Sequence, residues 1–563
     1  KAAGEMRERL MAYFQNKRIV NAMTIGTFHS ICLLLLEKKD KNITLIGEYE
    51  ALDTAAQVIR SLDLKISPKQ FLSEVSKLKC GGQSDSLSEE AAEVYETRLK
   101  KMGVLDFDDL LLQILDEWET GSAGKRWEKA FSYLLVDEFQ DVSDIQYRLV
   151  QAWSKQGKGL FVIGDPDQSI YGFRGSDAKC FERLLKDLPA TRRIRLTENY
   201  RSTPEILNCA LPAISKNEGE ERVLHPNLAG GEPVQLMTAE TPLSEGIFVA
   251  KEINRLVGGV DMLDSQAFST GRGAEQPRSF SDIAVLYRTH RQAEIIEKCL
   301  RKESIPYVVV GRDDFLADLK VRGTEAFFRF LLEPRDIPAL RAALTMAFQF
   351  PEDLIVRLEQ LFLAQEIADL SSDRAEAIFE EYSEVGHCRK WIELIRKYLS
   401  RVQKDKPRSL LEDWVAAMEW DGYEPLERFM NMSVFHPNMA AFLSNLLLGE
   451  EGDLSRSAQP SYTTDFVRLM TLHGSKGLEF PVVFLGGVKK GSIPLESISH
   501  PTDFPEERRL FYVGMTRAKE KLYLLTSSSE PSVFLQDLPE ASLQKAPVTE
   551  RKFQFEGKQL SLF

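Results

Sequence analysis

The sequence predicts an α/β protein with two parallel-sheet regions, each interrupted by a mainly helical insertion. Three observations carry this reading. Near-continuous apolar runs end in polar residues: Tyr133-Leu-Leu-Val136 leads into Asp137-Glu138, and Leu160-Phe-Val-Ile163 into Gly164-Asp165. Strands buried on both faces of a parallel sheet have this composition, and such sheets bind ligands at their C-terminal ends. A second strand-and-helix series begins near Val234 and includes Asp282-Ile-Ala-Val-Leu-Tyr287, a helical stretch through Arg301, and Tyr307-Val-Val-Val310. From about 339 to 458 the pattern turns helical, and strand signals return at 467–470, 482–485 and 521–525.

These signals set the expected boundaries. The first sheet region takes 1–45 and 126–210, with 46–125 as its insertion. The second takes 211–338 and 459–530, with 339–458 as its insertion, and 531–563 reads as a flexible tail. The polar, Gly-bearing stretch 264–280 reads as an exposed loop. The opening Lys1-Ala-Ala-Gly-Glu-Met-Arg7 has the character of a helix interior, with no initiator Met, cap or preceding strand. A missing N-terminal part is therefore expected.

Composition narrows the function classes. A length of 563 residues suggests roughly four domains. Hydrophobic residues at 43% and charged residues at 28% argue against wholesale disorder. The net charge of −13 means that a nucleic-acid surface would have to be a local basic patch. The longest apolar run, Ile31 to Leu36, is far too short to cross a bilayer. Six cysteines without a CxxC pair suit a reduced cytoplasm and argue against a cysteine-built metal site. A secreted protein and a membrane protein are both disfavoured, and a cytoplasmic location is expected.

Several short strings carry chemistry. In Leu135-Val-Asp137-Glu138-Phe-Gln140-Asp141, an Asp at a strand end can help hold Mg²⁺ while the neighbouring Glu polarises water. Paired carboxylates are also common at strand-to-loop junctions, so this string alone is evenly balanced. Gly164-Asp-Pro-Asp-Gln168-Ser-Ile-Tyr171-Gly-Phe173-Arg174 is more specific: it sets an amide, two aromatics and an arginine just after a strand. A neutral amide can sense a phosphate, aromatic rings stack on bases, and a guanidinium meets phosphate. Tyr200-Arg201 in Leu196-Thr-Glu-Asn-Tyr-Arg-Ser202 joins a ring to a guanidinium, as a nucleotide clamp would. Two further strings are Met470-Thr-Leu-His473-Gly-Ser-Lys-Gly477-Leu-Glu479-Phe480 and the arginine-rich Glu507-Arg-Arg-Leu-Phe-Tyr-Val-Gly-Met-Thr-Arg517-Ala518.

Taken in order, these strings resemble the motifs of the UvrD/Rep/PcrA-type superfamily 1 DNA helicases. Thr27-Phe-His29-Ser30, Leu105-Asp-Phe-Asp-Asp-Leu-Leu111, Arg288 and Ile305-Pro-Tyr-Val308 extend the resemblance, which runs from residue 1 to about 526 and is weakest over 339–458. It implies two RecA-like cores that close on ATP and step along DNA. Asp137 would then hold Mg²⁺, and Glu138 would activate water. Gln168, Arg201 and Arg517 would surround the γ-phosphate, with Arg517 as the arginine finger. Tyr200 would stack on adenine and Glu479 would bind the ribose, with Gln140 and Gly477 also on the nucleotide side. His29, Tyr171, Phe173, Arg174 and His473 would lie along single-stranded DNA. Phe173 stands where the family often has Trp, and the smaller ring weakens stacking without removing it. Glu198 stands where Gln is common.

One departure affects activity. No GxxxxGK[ST] string occurs in these residues, and Gly121-Ser-Ala-Gly124-Lys125-Arg126 has the wrong spacing. Without a phosphate-cradling loop, the 563-residue chain is expected to be a poor ATPase. The ending Gln559-Leu560-Ser561-Leu562-Phe563 looks like the pentapeptide by which bacterial DNA-processing proteins bind the sliding clamp. The expected activity is an ATP-dependent 3′-to-5′ translocase and helicase of repair or replication, acting on single-stranded and 3′-tailed duplex DNA. The motor of a helicase–nuclease ranks lower. The alternative from another class is a non-catalytic DNA- and clamp-binding protein.

Overall fold

Strand signals from residue 234 onward converge on one sheet of seven strands, all parallel. The computed structural model describes residues 2–14, 17–39, 43–80, 82, 84, 87–120, 131–172, 175–220, 222–258, 277–311, 315–434, 436–448, 465–496 and 502–548. Across the sheet the strands run Leu543–Pro547, Val234–Ala239, Ala518–Ser527, Phe480–Leu485, Ile283–Tyr287, Val467–Thr471 and Tyr307–Val309. Alternation divides them between two cores. Ile283, Val285 and Tyr287 meet the helices Pro242–Leu256 and His290–Lys302, whereas Ala284 and Leu286 join the core of Pro204–Ile214 and Phe504–Met515. With both faces covered, all five residues of Ile283–Tyr287 are buried, which is why the run is apolar throughout.

Two boundaries differ from those expected. Helix Pro204–Ile214 belongs with the second sheet rather than the first region, because Ile206, Cys209, Ala210 and Ile214 form an apolar stripe in that core. Ser202 Oγ also donates to the Ala518 carbonyl at 2.7 Å. Order continues past 530 as well. Phe534 and Leu538 are buried, Phe534 stacks on Phe511 at 5.9 Å, and Leu543–Pro547 adds an edge strand beside Val234–Ala239. The flexible-tail reading therefore fails through residue 548; residues 549–563 lie outside the described residues.

The other body takes the described residues of Lys1–Gly164, Phe173–Cys180 and Asp314–Pro460. Tyr133–Val136 pairs in parallel with Gly159–Val162. Tyr133, Leu135 and Phe161 are 65%, 73% and 54% exposed, so the buried-strand expectation holds in the first strand only for Val136. Among the described residues no third strand joins this pair. The second helical insertion is helical as expected but begins earlier, since helix Leu319–Leu332 joins its core. There Trp414 stacks on Phe327 at 4.3 Å, and its indole N–H donates to Thr324 Oγ1 at 2.8 Å. Among the described residues no helix is long and apolar enough to cross a membrane.

A buried ionic cluster joins the two insertions within this body. Arg329 pairs with Asp336 at 2.6 Å, with Glu50 of helix Glu48–Ser61 at 3.0 Å, and with Glu325 at 3.8 Å. Gly47 fits there because a Cβ would overlap Glu50 Oε2 and lie 2.7 Å from Arg329 Nη1. Burial pushes the Glu325 carboxyl up to about 7, against the pull of Arg329. A carboxyl raised on folding favours the folded state below its ordinary range, and this stability is lost as pH rises through about 7. Glu325→Gln is neutral at every pH. It is expected to flatten the fall in thermal midpoint between about pH 5 and pH 8, and a slope identical to the parent's would contradict this.

Candidate functional site

In the first body the acidic pair lies just after strand Tyr133–Val136. The chain turns sharply there: Glu138 adopts φ +50°, a left-handed conformation costly for a residue with a Cβ. Its backbone N–H donates to Asp137 Oδ1 at 2.9 Å. A 3₁₀ turn, Phe139–Asp141, follows, and the Phe139 N–H donates to the Ile163 carbonyl at 2.9 Å. Gln140 is fully buried and donates through Nε2 to Glu138 Oε2. A Cβ on Gly164 would overlap Gln140 Oε1, so the close approach of these two strand ends requires glycine. Both carboxylates are exposed at the strand end, one of them oriented by a buried amide.

The next segment, Asp165–Gly172, belongs to the second body. Asp165 caps the 3₁₀ turn Pro166–Gln168 by accepting from the Asp167 N–H at 3.0 Å, and it also accepts from Gln168 Nε2 at 2.7 Å. Burial raises the Asp165 carboxyl, and the nearby Asp167 charge adds to the rise. Gln168 Oε1 accepts from Arg517 Nη2 at 3.4 Å. The Gln168 amide thus spans a half-buried acid and a buried guanidinium. Arg517 also donates to the carbonyls of Val513 at 3.0 Å and Leu478 at 3.1 Å, which fixes its stem. Arg201 Nε donates to Glu479 Oε2 at 2.6 Å, while Lys519 meets Glu479 Oε1 at 2.6 Å. The Lys519 hydrogen bond and the Arg201 contact hold the Glu479 carboxyl below its ordinary range. Tyr200, beside Arg201, is 73% exposed, and Gly477 has φ +76°.

Of the residues expected along DNA, Tyr171 and His473 come together, with ring centroids 6.2 Å apart and Lys476 Nζ 5.1 Å from the Tyr171 centroid. His29 lies in the other body, half-buried against the edge of Phe107 at 5.4 Å. Desolvation lowers its pKa against the opposing pull of Asp108, which favours the neutral ring. Phe173, Arg174, Gln559, Leu560, Leu562 and Phe563 lie outside the described residues. Sequence reading missed the cations that fasten the 165–172 segment. Lys476 Nζ donates to the Gln168 carbonyl at 2.8 Å, Arg509 Nε to the Ser169 carbonyl at 2.6 Å, and Arg222 pairs with Asp167 at 2.8 Å. Arg509 and Lys476 fell inside strings already singled out, but Arg222 stands in a loop with no pattern of its own.

Comparison with known proteins shows the family. Residues 1–189 match the UvrD/REP helicase N-terminal domain, and residues 194–390 and 434–529 match the UvrD-like helicase C-terminal domain. The unmatched 391–433 falls inside the helical insertion. The chain is 30% identical to the ATP-dependent DNA helicase PcrA of Leuconostoc citreum, covering 97% of this chain and 78% of that protein. It is 28% identical to the protein of that name from Staphylococcus aureus (strain NCTC 8325 / PS 47) and 29% identical to that from Bacillus subtilis (strain 168). Each of these alignments covers 97% of this chain and 79% of the relative.

Proposed function

Because the chain belongs to the UvrD-like helicase family, we propose that it serves as an ATP-driven motor moving 3′ to 5′ along single-stranded DNA. In this reading it opens 3′-tailed duplexes during DNA repair or replication, in the cytoplasm. The observation that supports it most is the Gln168 amide, held by Asp165 and Arg517 in one charge cluster with Arg201 and Glu479.

The chemistry follows from these groups. Mg²⁺ takes oxygen donors and is usually held by one or two carboxylates beside phosphate and water oxygens. The exposed Asp137 and Glu138 fit that donor set, and among the described residues no cluster of three or more ligating side chains offers another metal site. Asp137 is the direct ligand in this reading; bound Mg²⁺ offsets the negative charge of the phosphates. Glu138, oriented by Gln140, takes the proton of the attacking water. Arg201 and Arg517 meet charge developing on the γ-phosphate. The Nη2 of Arg517 makes two long contacts, 3.4 Å to Gln168 Oε1 and 3.4 Å to Thr516 Oγ1, and can exchange them for phosphate oxygen. Gln168 registers that exchange because the same guanidinium nitrogen donates to it. Tyr200 supplies a ring face for adenine, Glu479 an acceptor for a ribose hydroxyl, and Gly477 a backbone without a Cβ beside it.

DNA contacts fall to His29, Tyr171, Phe173, Arg174 and His473. Stacking on Tyr171 and Phe173 would be indifferent to sequence, because every base has a π face. The 563 residues themselves hold no GxxxxGK[ST] string, so this polypeptide alone is proposed to turn over ATP negligibly. Gln559, Leu560, Leu562 and Phe563 form a sliding-clamp ligand in this reading, with the two last side chains filling an apolar pocket.

In full-length protein, Glu138→Gln is expected to abolish DNA-stimulated hydrolysis while retaining ATP binding. Arg517→Ala is expected to slow turnover by roughly 10³–10⁵. Near-normal turnover in either variant would overturn the assignment. The clamp interaction is expected near micromolar, about −8 kcal/mol. Leu562→Ala with Phe563→Ala should abolish it and leave DNA binding and hydrolysis intact. Equal clamp binding by the double variant in a titration would remove the tail from this account.

A further inference from the structure

The geometry points to Arg222 as a positioning residue for nucleotide hydrolysis, acting through Asp167 to set the Gln168 side chain. The inference rests on the reading of Gln168 as a γ-phosphate sensor. Arg222 lies in the loop that follows helix Pro204–Ile214, outside every string singled out in the sequence.

Its guanidinium is only 14% exposed, and its contacts account for all five of its N–H donors. Nε donates to Asp167 Oδ2 at 2.8 Å and Nη2 to Oδ1 at 2.9 Å, a two-pronged grip on the carboxylate. The remaining donors close the loop on itself: Nη1 reaches the carbonyls of Asn217 at 3.3 Å and Glu220 at 3.4 Å, and Nη2 that of Glu218 at 3.3 Å. The loop is tied in turn to the arginine-bearing helix Phe504–Met515, where Asn217 Nδ2 donates to the Pro505 carbonyl at 2.8 Å. A lysine could not replace this fork, since an ammonium is a single point of charge.

Asp167 passes the constraint to its neighbour. Its N–H donates to Asp165 Oδ1 at 3.0 Å, the Gln168 N–H donates to the Asp165 carbonyl at 2.9 Å, and Gln168 Nε2 donates to Asp165 Oδ2 at 2.7 Å. Fixing Asp167 therefore fixes the turn from which the amide projects. The charge matters as much as the shape. Asp167 stands near the half-buried Asp165, and its negative charge opposes ionisation there. Arg222 offsets that charge. Without it, Asp165 is driven toward protonation, and an acid that has taken up a proton is a poorer acceptor for Gln168 Nε2. The amide would lose one of the two partners that orient it.

The test uses full-length protein and compares Arg222→Ala, Arg222→Lys, Asp167→Asn, Arg222→Ala with Asp167→Asn, and Gln168→Ala in single-stranded-DNA-stimulated ATP hydrolysis. A displaced catalytic group costs about ten- to a hundredfold in rate, so kcat should fall by that factor in both Arg222 variants and in Asp167→Asn. KM for ATP should stay within about twofold, because positioning acts on the chemical step and not on uniform binding. The double variant should be no slower than the worse single one, since the two residues act as a unit. Asp167→Asn keeps the side-chain shape and decides the matter if Arg222→Ala fails to fold in a thermal scan. Near-parental kcat in the Arg222 and Asp167 variants beside an impaired Gln168→Ala would overturn this proposal alone, as would additive losses in the double variant. Parental kcat in Gln168→Ala would overturn the underlying reading of the amide.

Discussion

Much of the candidate chemistry depends on how the turn Asp165–Gly172 is held. Strand Gly159–Val162 ends in the first body, yet eight residues beginning at Asp165 belong to the second. Backbone hydrogen bonding within so short a turn does not fix it there. Side chains do: Ile170 is fully buried in the second-body core, and cations add Arg222 on Asp167, Lys476 on the Gln168 carbonyl, Arg509 on the Ser169 carbonyl and Arg517 on the Gln168 amide. Bonds from charged donors are shorter and roughly twice as strong as neutral ones. They come from three separated stretches of chain, so the turn reports the state of the whole cluster rather than of its own few residues.

Burial gives that cluster its sensitivity. Arg517 is fully buried with its stem pinned by two carbonyls, and Asp165 is held near it in a setting that already raises the acid. In such surroundings an uncompensated charge is far more costly than at the surface. A phosphate arriving among these groups would compete with hydrogen bonds such as that from Arg517 Nη2 to Gln168 Oε1. The half-exposed Arg201–Glu479–Lys519 group is different: solvent screens it, and its ion pairs can be exchanged at little cost.

The sequence was informative where physics is local. Ile283–Tyr287 and Phe480–Leu485 are apolar on both faces because helices cover both sides, and the runs at 282–287 and 482–485 announced both strands. The site strings were legible for the same reason, since Asp137 with Glu138 and Tyr200 with Arg201 are neighbours in the chain. Partners distant in sequence were not. Nothing near Arg222 marks it as the counter-ion of Asp167, and nothing near Lys519 points to Glu479. Assigning helix Pro204–Ile214 to the first region followed chain order, whereas its apolar stripe decides its neighbour. Residues 531–548 have the Pro and charge content of a linker, but two buried anchors, Phe534 and Leu538, are enough to order them. Tyr133, Leu135 and Phe161 carried the signature of a covered sheet yet are exposed, because an apolar run says what a strand can bury and not what lies against it.

In the proposed motor the 165–172 turn answers to the terminal phosphate of ATP. Hydrogen exchange of its backbone amides, measured in full-length protein with no nucleotide, with ADP and with a non-hydrolysable ATP analogue, tests this most directly. The ATP analogue is expected to change exchange at the Gln168 and Ser169 amides, while ADP leaves them close to the nucleotide-free state. Identical exchange in all three conditions, with nucleotide binding verified, would contradict it.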